Sequence, residues 1–300
     1  MKSKKTVGTV IKTKPVLGFI GQGFVGKAYA DDFEKRGFKT VRFALEEPYR
    51  GNKEKIKDCD MVFIAVPTPT TEKGFDDSII RGAVKLVGKG KTVVIKSTIL
   101  PGTTASIQKE NPDIFVFHSP EFLREVSAGH DAGNPERNII GMPIASNKFR
   151  ESAEKILSVL PKAKFELITG AEEAELVKYA GNCFFYFKII FANLFYEVAK
   201  IRNIDWEEVS KAVSADSRIG PSHMNPVHQS GRGAGGHCFI KDFSAFSQWY
   251  GESVEDKFGK KVLESLEQKN IDLLLKSGKD IGLLKGVYGE LLKGFKNDNV

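Results

Sequence analysis

The chain has 300 residues, which is enough for two domains with cores of their own. Its composition, 41% hydrophobic and 28% charged, is that of an ordinary globular protein and excludes a disordered or fibrous chain. The net charge of +7 comes from scattered lysines, not from a stripe of basic and aromatic residues, so no nucleic-acid partner is expected. A basic surface of this kind suits an anionic small-molecule substrate.

The cysteines predict free thiols in a reducing compartment. Cys59, Cys183 and Cys238 are too few, and odd in number, for a disulfide framework. The basic N-terminus lacks the apolar core of a signal peptide, and the most apolar stretch, Cys183 to Phe195, is too short and too polar to span a bilayer. We therefore expect a cytoplasmic protein without membrane association, and we predict no metal site.

Short apolar runs alternate with helical patterns in the first half of the chain. The segment from Phe24 to Arg36 has helical spacing and stops at Gly37, a common helix C-terminus. Strands are predicted for the runs VLGFIG, TVRFAL, MVFIAV, TVVIKS and IFVFHS. This alternation predicts an α/β fold: a Rossmann-type, doubly wound parallel sheet that is covered by helices on both faces.

The pattern changes near Ile168. Thr169 and Glu172 have the spacing of a capping box, and from there to about Ile201 the sequence predicts one long helix that is apolar on most sides. Such a helix must be buried in its own domain or against a second subunit, so we predict a homodimer formed by this helix. An all-helical central domain is expected over residues 169–300, with a helical tail at its end.

A glycine-rich turn follows the first predicted strand and opens the first predicted helix. Glycines there allow a tight turn and the close approach of a pyrophosphate, which the N–H groups at the helix start bind. The alternative is a tight turn without a ligand. The residues of the turn are Gly21, Gln22, Gly23, Phe24, Val25 and Gly26. The sequence thus predicts a basic tail over residues 1–14 and a dinucleotide-binding Rossmann domain over residues 15–168.

A dinucleotide site also needs an acid on the ribose hydroxyls, about 20 residues beyond the glycines. Glu46, at the end of the second predicted strand, fits this place best. An acid there favours NAD over NADP, a preference that the nearby Arg42 and Arg50 weaken. A solvated turn residue is the alternative for Glu46.

Polar residues follow further predicted strands, at the edge where a doubly wound sheet binds its ligand. After the last of these strands, Glu121 and Glu125 bring two carboxylates close together, and one of them could act as a base. Taken singly, each of these groups could equally belong to a turn or a helix start. The candidates for cofactor contacts are Val66, Pro67, Thr68, Pro69, Thr70, Ser97 and Thr98.

Two groups in the second half could carry chemistry. Lys178 and Asn182 are four residues apart in the long helix, so they share one face and could stabilise an oxyanion together. The glycine-rich segment from Gly231 ends in Cys238 with Lys and Asp close behind, and it could present a thiolate to a bound ligand. A snorkelling lysine and a buried, inert cysteine are the alternatives.

Seven motifs, in order along the chain, resemble those of the UDP-glucose/GDP-mannose dehydrogenase family. They are GQGFVG, VPTPT, KSTILPGT, SPEFLRE, AELVKYAGNCF, DSRIG and GAGGHCFIKD, between Val16 and about Asn270. The resemblance implies NAD-dependent oxidation of a nucleotide sugar, with UDP-glucose as the first candidate, for polysaccharide biosynthesis. The C6 alcohol would become a carboxylate through two hydride transfers.

The resemblance also implies a role for each matched residue. Cys238 would form a thiohemiacetal and then a thioester, and Lys178 and Asn182 would stabilise the oxyanion. Asp242 and Thr98 would hold the catalytic water. The base for thioester hydrolysis would be Glu121, and Glu125 would lie by the nicotinamide. Substrate contacts are expected from Glu121, Phe122, Leu123, Arg124, Glu125, Lys178, Asn182, Arg218, Arg232, Gly233 and Gly235.

The sequence departs from the family pattern at His237, at Ile240 and in its C-terminal region. Members of the family usually carry a third, α/β domain that closes over the nucleotide base, whereas a helical tail follows Asp242 here. We therefore expect a short form that holds the base poorly. Two alternatives remain: a simple hydroxyacid dehydrogenase, which does not need Cys238, and a non-catalytic NAD-binding protein or half of a split enzyme.

Overall fold

The computed structural model describes residues 14–229, 231–289, 292 and 294. These residues form two compact units. We call the first the sheet unit; it comprises the residues up to Pro67, Ser78–Ser97 and Gly102–Ala174. The second, the helical unit, comprises Thr68–Asp77, Thr98–Pro101 and the residues from Glu175 onward. The expected boundary lay after residue 168, whereas the observed division follows Ala174 and assigns two short earlier segments to the helical unit.

The described residues form eleven strands and ten α-helices. The strands are β1 (Leu17–Ile20), β2 (Thr40–Phe43), β3 (Met61–Ile64), β4 (Thr70–Thr71), β5 (Gly74–Phe75), β6 (Thr92–Ile95), β7 (Phe115–His118), β8 (Arg137–Met142), β9 (Phe165–Gly170), β10 (Val227–His228) and β11 (Gly231–Arg232). The helices are α1 (Phe24–Lys35), α2 (Ser78–Val84), α3 (Thr103–Glu110), α4 (Ala128–Gly133), α5 (Asn147–Val159), α6 (Ala171–Arg202), α7 (Trp206–Ser214), α8 (Gly236–Ser253), α9 (Lys257–Ser277) and α10 (Ile281–Tyr288).

The sheet unit contains a seven-stranded sheet with the order β2-β1-β3-β6-β7-β8-β9. The chain moves from β1 to β2 on one side and then to β3 on the other, which opens a crevice at the carboxyl ends of β1 and β3. The five strands from β2 to β7 in this order are parallel, and they are the five predicted strands. The Rossmann-type fold is therefore confirmed.

The predicted parallel arrangement of the sheet is interrupted at β8. This strand pairs antiparallel with β7 through His118 and Gly141, because the chain enters it at the carboxyl end of β7 instead of crossing back. β9 then pairs in parallel with β8. The second unit is also not all-helical, since it contains the two-stranded pairs β4-β5 and β10-β11.

Aromatic side chains fill the core of the sheet unit. The rings of Phe19 on β1 and Phe63 on β3 stack with centroids 5.3 Å apart, and Phe33 of α1 lies 5.2 Å from Phe63. Strands buried on both faces read as continuous apolar runs, which is why these segments were recognisable from the sequence. These contacts pack α1 against β1 and β3.

The long helix α6 runs for 32 residues, as predicted, although Thr169 lies in β9 and the helix begins only at Ala171. One face of α6 is buried in the helical unit, where Tyr186 stacks on Phe243 of α8 at 3.9 Å. No helix among the described residues is long and apolar enough to cross a membrane. An exposed apolar face remains on α6, and we call it the α6 stripe. It consists of Phe184, Phe187, Phe191, Leu194, Phe195, Val198 and Ile201.

A buried carboxyl group joins three helices of the helical unit. Glu267 of α9 accepts hydrogen bonds from Ser247 of α8 at 2.9 Å and from Tyr288 of α10 at 3.0 Å. Burial raises the pKa of Glu267 to about 7. The neutral form of this side chain therefore predominates in the folded unit below about pH 7.

We expect Glu267 to make the protein more stable as the pH falls from about 7 to about 4.5. Its pKa is higher in the folded than in the unfolded chain, so its contribution is complete below about 4.5 and is lost as the pH rises through about 7. The free energy involved is at most about 3 kcal/mol. Glu267→Gln stays neutral and should lose this pH dependence in thermal unfolding. An equal pH slope in both proteins would contradict the assignment.

Candidate active site

The turn between β1 and α1 has the backbone that a pyrophosphate site needs. Gly21 has a φ of +90°, and a Cβ there would collide with the carbonyl oxygen of Ala65. A Cβ on Gly26 would collide with the carbonyl oxygen of Gly21. At Gly23, by contrast, a Cβ would meet no atom within 4 Å, and this residue caps α1 without a side-chain hydrogen bond. The start of α1 at Gly23 thus has room for an added group, whereas Gly21 and Gly26 do not.

The arginines near Glu46 are held by other groups. Arg42 forms ion pairs with Asp31 at 2.7 Å and with Glu34 at 2.6 Å. The Nε of Arg50 donates to the carbonyl of Leu45 at 2.5 Å. In the sequence, the charge of Arg42 weakened the expected preference for NAD over NADP. In the structure, two carboxylates balance that charge. Glu46 itself is exposed at the end of β2.

Two strand ends of the sheet unit are linked through a predicted cofactor residue. The hydroxyl of Ser97 donates to the carbonyl of Val66 at 2.7 Å and accepts from its N–H at 3.0 Å. Lys96, the first residue of the KSTILPGT motif, lies beside it and was given no role of its own in the prediction. The buried ammonium of Lys96 donates to Ser119 at 2.9 Å and lies 4.4 Å from the ring centre of Tyr29.

The segment after β7 carries the predicted carboxylates. Glu121 is buried and accepts from the N–H of Leu123 at 2.7 Å, whereas Glu125 is exposed. Arg124 forms an ion pair of 2.7 Å with Asp131, so its guanidinium is shared with a carboxylate of α4. The neighbouring Phe122 packs its ring under the guanidinium of Arg137, at 3.7 Å from the ring centre.

The thiol of Cys238 lies at the start of α8 in the helical unit. It is exposed and occupies the third position of the helix, where N–H groups and the helix dipole favour a thiolate. The other two thiols are buried. Burial and the charges of Asp60 and Asp58 raise the pKa of Cys59 to about 11, and burial raises the pKa of Cys183 well above its usual value.

Asp242 follows Cys238 by one helical turn and forms hydrogen bonds with two polar side chains. Its carboxylate is almost fully buried and accepts from the side-chain amide of Asn182 at 2.6 Å and from the ammonium of Lys241 at 2.5 Å. Lys178 is buried one turn before Asn182 on α6. The structure thus brings together Asn182 and Asp242, which the sequence proposed separately.

Lys241 is the residue of this group that sequence reasoning did not single out. Besides Asp242 it reaches the hydroxyl of Thr68 at 3.4 Å, and that hydroxyl donates to the carbonyl of Thr98 at 2.9 Å. In the sequence, the adjacent charges of Lys241 and Asp242 shortly after Cys238 were the feature that could have indicated it. Thr70, on β4, is also buried, and its hydroxyl has no hydrogen-bond partner among the described residues.

Arg218 and Arg232, which were also predicted for substrate contacts, are paired with acids like Arg124. Arg218 is exposed and binds Asp216 at 2.6 Å. Arg232 donates to the side-chain oxygen of Asn193 at 2.8 Å and to Glu197 at 3.0 Å, both on α6. A substrate phosphate at either place would have to compete with these partners.

Two sequence models of one family match this chain. The NAD binding domain of the UDP-glucose/GDP-mannose dehydrogenase family matches residues 47–159, and its central domain matches residues 172–271. Together the two matches cover more than half of the chain. The chain belongs to this family. Its resemblance in motifs is thereby confirmed, and so is NAD as the cofactor. The glycine turn lies before residue 47, so its role stays a prediction.

Individual members of the family are similar over much of this chain. UDP-glucose 6-dehydrogenase AglM of Haloferax volcanii is 30% identical over 76% of the chain and 64% of the relative. UDP-glucose 6-dehydrogenase TuaD of Bacillus subtilis is 33% identical, over 81% and 55%. A solved UDP-glucose dehydrogenase from Pyrobaculum islandicum has a TM-score of 0.74 and 28% identity, over 89% of this chain and 71% of that one. The chain spans about 54–64% of the first curated relatives it matches.

Proposed function

We propose that this protein is an NAD-dependent nucleotide-sugar dehydrogenase that oxidises a C6 alcohol to the carboxylate, with UDP-glucose as its first candidate substrate. The observation that carries the proposal is the exposed thiol of Cys238, one helical turn before the buried Asp242, which binds Asn182 and Lys241. The names of the relatives, UDP-glucose 6-dehydrogenases, support the choice of substrate.

A covalent thiol intermediate explains how oxidation passes the aldehyde. The alcohol loses one hydride to become an aldehyde, and the Cys238 thiolate adds to its carbon to form a thiohemiacetal. Loss of a second hydride leaves a thioester, and water then cleaves the C–S bond and returns the thiol. NAD accepts each hydride when bound. One alcohol, one water and two NAD⁺ thus give one carboxylate, two NADH and the corresponding protons.

The polar groups of the helical unit suit the charges that this reaction develops. The ammonium of Lys178 and the amide of Asn182 stabilise the oxygen that becomes negative when the thiolate adds. Asp242 holds the Asn182 amide in one orientation and, with Thr98, positions the hydrolytic water. Glu121 would take the proton of that water, and Glu125 would contact the nicotinamide of a bound NAD.

The cofactor contacts in the proposal come from the sheet unit and the segment after β3. The turn from Gly21 to Gly26 binds the pyrophosphate on the N–H groups of α1. Glu46 accepts from the ribose hydroxyls, and the pairing of Arg42 with two acids favours NAD over NADP. Residues 66–70 with Ser97 line the rest of the cofactor. We also propose a cytoplasmic location, where NAD, nucleotide sugars and reduced thiols occur together.

A substrate panel tests the proposal. The protein is incubated with NAD⁺ and a series of UDP- and GDP-sugars, and NADH is measured against the sugar consumed. Two NADH for each sugar, with a uronate product for polysaccharide biosynthesis, supports a nucleotide-sugar dehydrogenase. NADH with small hydroxyacids alone would replace it by a simple hydroxyacid dehydrogenase. Retained NAD binding without NADH from any substrate would replace it by a non-catalytic protein.

We further propose that the protein forms a homodimer through the α6 stripe. Its members are spaced alternately by three and four residues, from Phe184 and Phe187 through Phe191 and Leu194 to Val198 and Ile201. This spacing places them along one line of the helix, as in a helix–helix seam. A run of exposed aromatic and aliphatic side chains of this length is typical of a buried interface, not of a free surface.

Phe195→Asp should convert the dimer into a monomer. The side chain of Phe195 is 53% exposed, so a charge there spares the fold but enters the seam uncompensated. Light scattering at micromolar concentration measures the change. Phe258→Asp is the matched control, since Phe258 is 83% exposed on α9 and outside the stripe. A monodisperse wild-type monomer would exclude the dimer.

A further inference from the structure

The glycines before Cys238 are required by the chain itself. A Cβ on Gly231 would lie 2.6 Å from Cβ of Lys279, and one on Gly233 would lie 2.9 Å from Oδ1 of Asn270. A Cβ on Gly235 would lie 2.6 Å from Cε of Lys279. The three glycines therefore lie in close contact with α9 and with the residues that directly follow it. We call residues 231–236 the glycine loop.

Side chains of α9 also take up the backbone groups of the glycine loop. The amide of Asn270 accepts from the N–H of Ala234 at 2.7 Å and donates to the carbonyl of the same residue at 3.0 Å. The hydroxyl of Ser277 accepts from the N–H of Arg232 at 3.0 Å. Because both Asn270 and Ala234 are buried, these bonds are costly to lose. The loop is thus held at two points before α8 begins.

Two charged residues that follow α9 bind further backbone groups of the glycine loop. The ammonium of Lys279 donates to the carbonyl of Gly233 at 3.1 Å and is nearly buried. The carboxylate of Asp280 accepts from the N–H of Gly236 at 2.7 Å. Gly236 is the first residue of α8, two positions before Cys238. A negative charge on this N–H counteracts the positive end of the helix dipole, and the Lys279 charge beside it acts in the opposite sense.

We propose that Lys279 and Asp280 are positioning residues that hold the glycine loop and set the charge around the thiol of Cys238. The proposal rests on the proposed function only in treating Cys238 as the nucleophile. The negative charge of Asp280 lowers the fraction of Cys238 that is present as thiolate, and the positive charge of Lys279 raises it. The two charges therefore act on the reactivity of the thiol in opposite directions. Each residue bonds a different backbone group of the glycine loop, and the anchors at Asn270 and Ser277 keep the loop in place when one of the two charges is removed.

Alkylation of Cys238 by iodoacetamide tests the proposal in the intact protein. The other two thiols are buried, and peptide mass spectrometry assigns the site of modification. Asp280→Asn keeps the acceptor for Gly236 and removes the charge, so alkylation near pH 7 should become about two- to five-fold faster. Lys279→Met removes the opposite charge and should make alkylation about two- to five-fold slower. Lys276→Met, an exposed lysine near the end of α9, is the control and should leave the rate unchanged.

The direction of the two changes separates charge control from loosening of the loop. Loosening would move both variants the same way, and that result would overturn the proposal, as would rates equal to the Lys276→Met control. Asp280 has a φ of +55°, which asparagine tolerates, so Asp280→Asn should fold normally, and thermal unfolding checks this. Opposite shifts without any NADH from the sugar panel would support the positioning role while rejecting the proposed oxidation.

Discussion

The wild-type protein should produce two NADH for each UDP-glucose consumed, whereas the Cys238→Ser variant should produce at most one. Lys178, Asn182 and the cofactor remain in the variant, so the first hydride transfer can still occur. Its serine is a far poorer route to a hydrolysable acyl intermediate, because an alkoxide is a worse leaving group than a thiolate. Overall turnover should fall by at least about 1,000-fold, on the scale of a lost nucleophile. NADH absorbance with product analysis by mass spectrometry measures both quantities.

Cys59→Ala is the matched control for the thiol. Cys59 is buried in the sheet unit and its pKa is about 11, so it carries little thiolate at neutral pH. This variant should keep the full stoichiometry. A wild-type yield of one NADH together with full activity in Cys238→Ser would end the nucleotide-sugar proposal and favour a simple hydroxyacid dehydrogenase.

Replacing Gly23 by valine should raise the dissociation constant for NAD on the order of 100-fold or more. A Cβ at this position meets no protein atom within 4 Å, and the φ of −65° is open to any residue. The new side chain therefore leaves the fold intact and fills the space that the pyrophosphate needs. Isothermal titration with NAD measures the affinity, and thermal unfolding confirms the fold.

Gly82→Val serves as the control for the glycine turn. Gly82 is exposed on α2, and a Cβ there also meets nothing within 4 Å, so the two substitutions match in size and in local freedom. NAD affinity should be unchanged in this protein. If the Gly23→Val protein bound NAD as tightly as the wild type, the pyrophosphate would not bind at the turn. The family assignment would be unaffected.

Most of the sheet could be predicted because its signals are local. The five parallel strands are apolar runs, and the turn into α1 has glycines whose conformation and neighbours admit no side chain at Gly21 or Gly26. β8 and β9 were not predicted. β9 alternates exposed and half-buried residues at the edge of the sheet, and its pairing with β8 spans 28 residues of chain from Arg137 to Phe165. Such pairing depends on the rest of the fold.

The residue types of the candidate site could be predicted from the sequence alone: a thiol near a helix start, a lysine and an amide on one helical face, and an acid one turn after the thiol. Their partners depend on how the helices pack. The amide of Asn182 holds Asp242, 60 residues away, and Asn270 holds Ala234, 36 residues away. Contacts over such distances leave no local pattern, because they are set by which helices pack together. The glycines before Cys238 were interpreted as a loop that wraps around a ligand, because their partners in the chain are distant in sequence. Three of them instead lie against α9 and the residues that directly follow it.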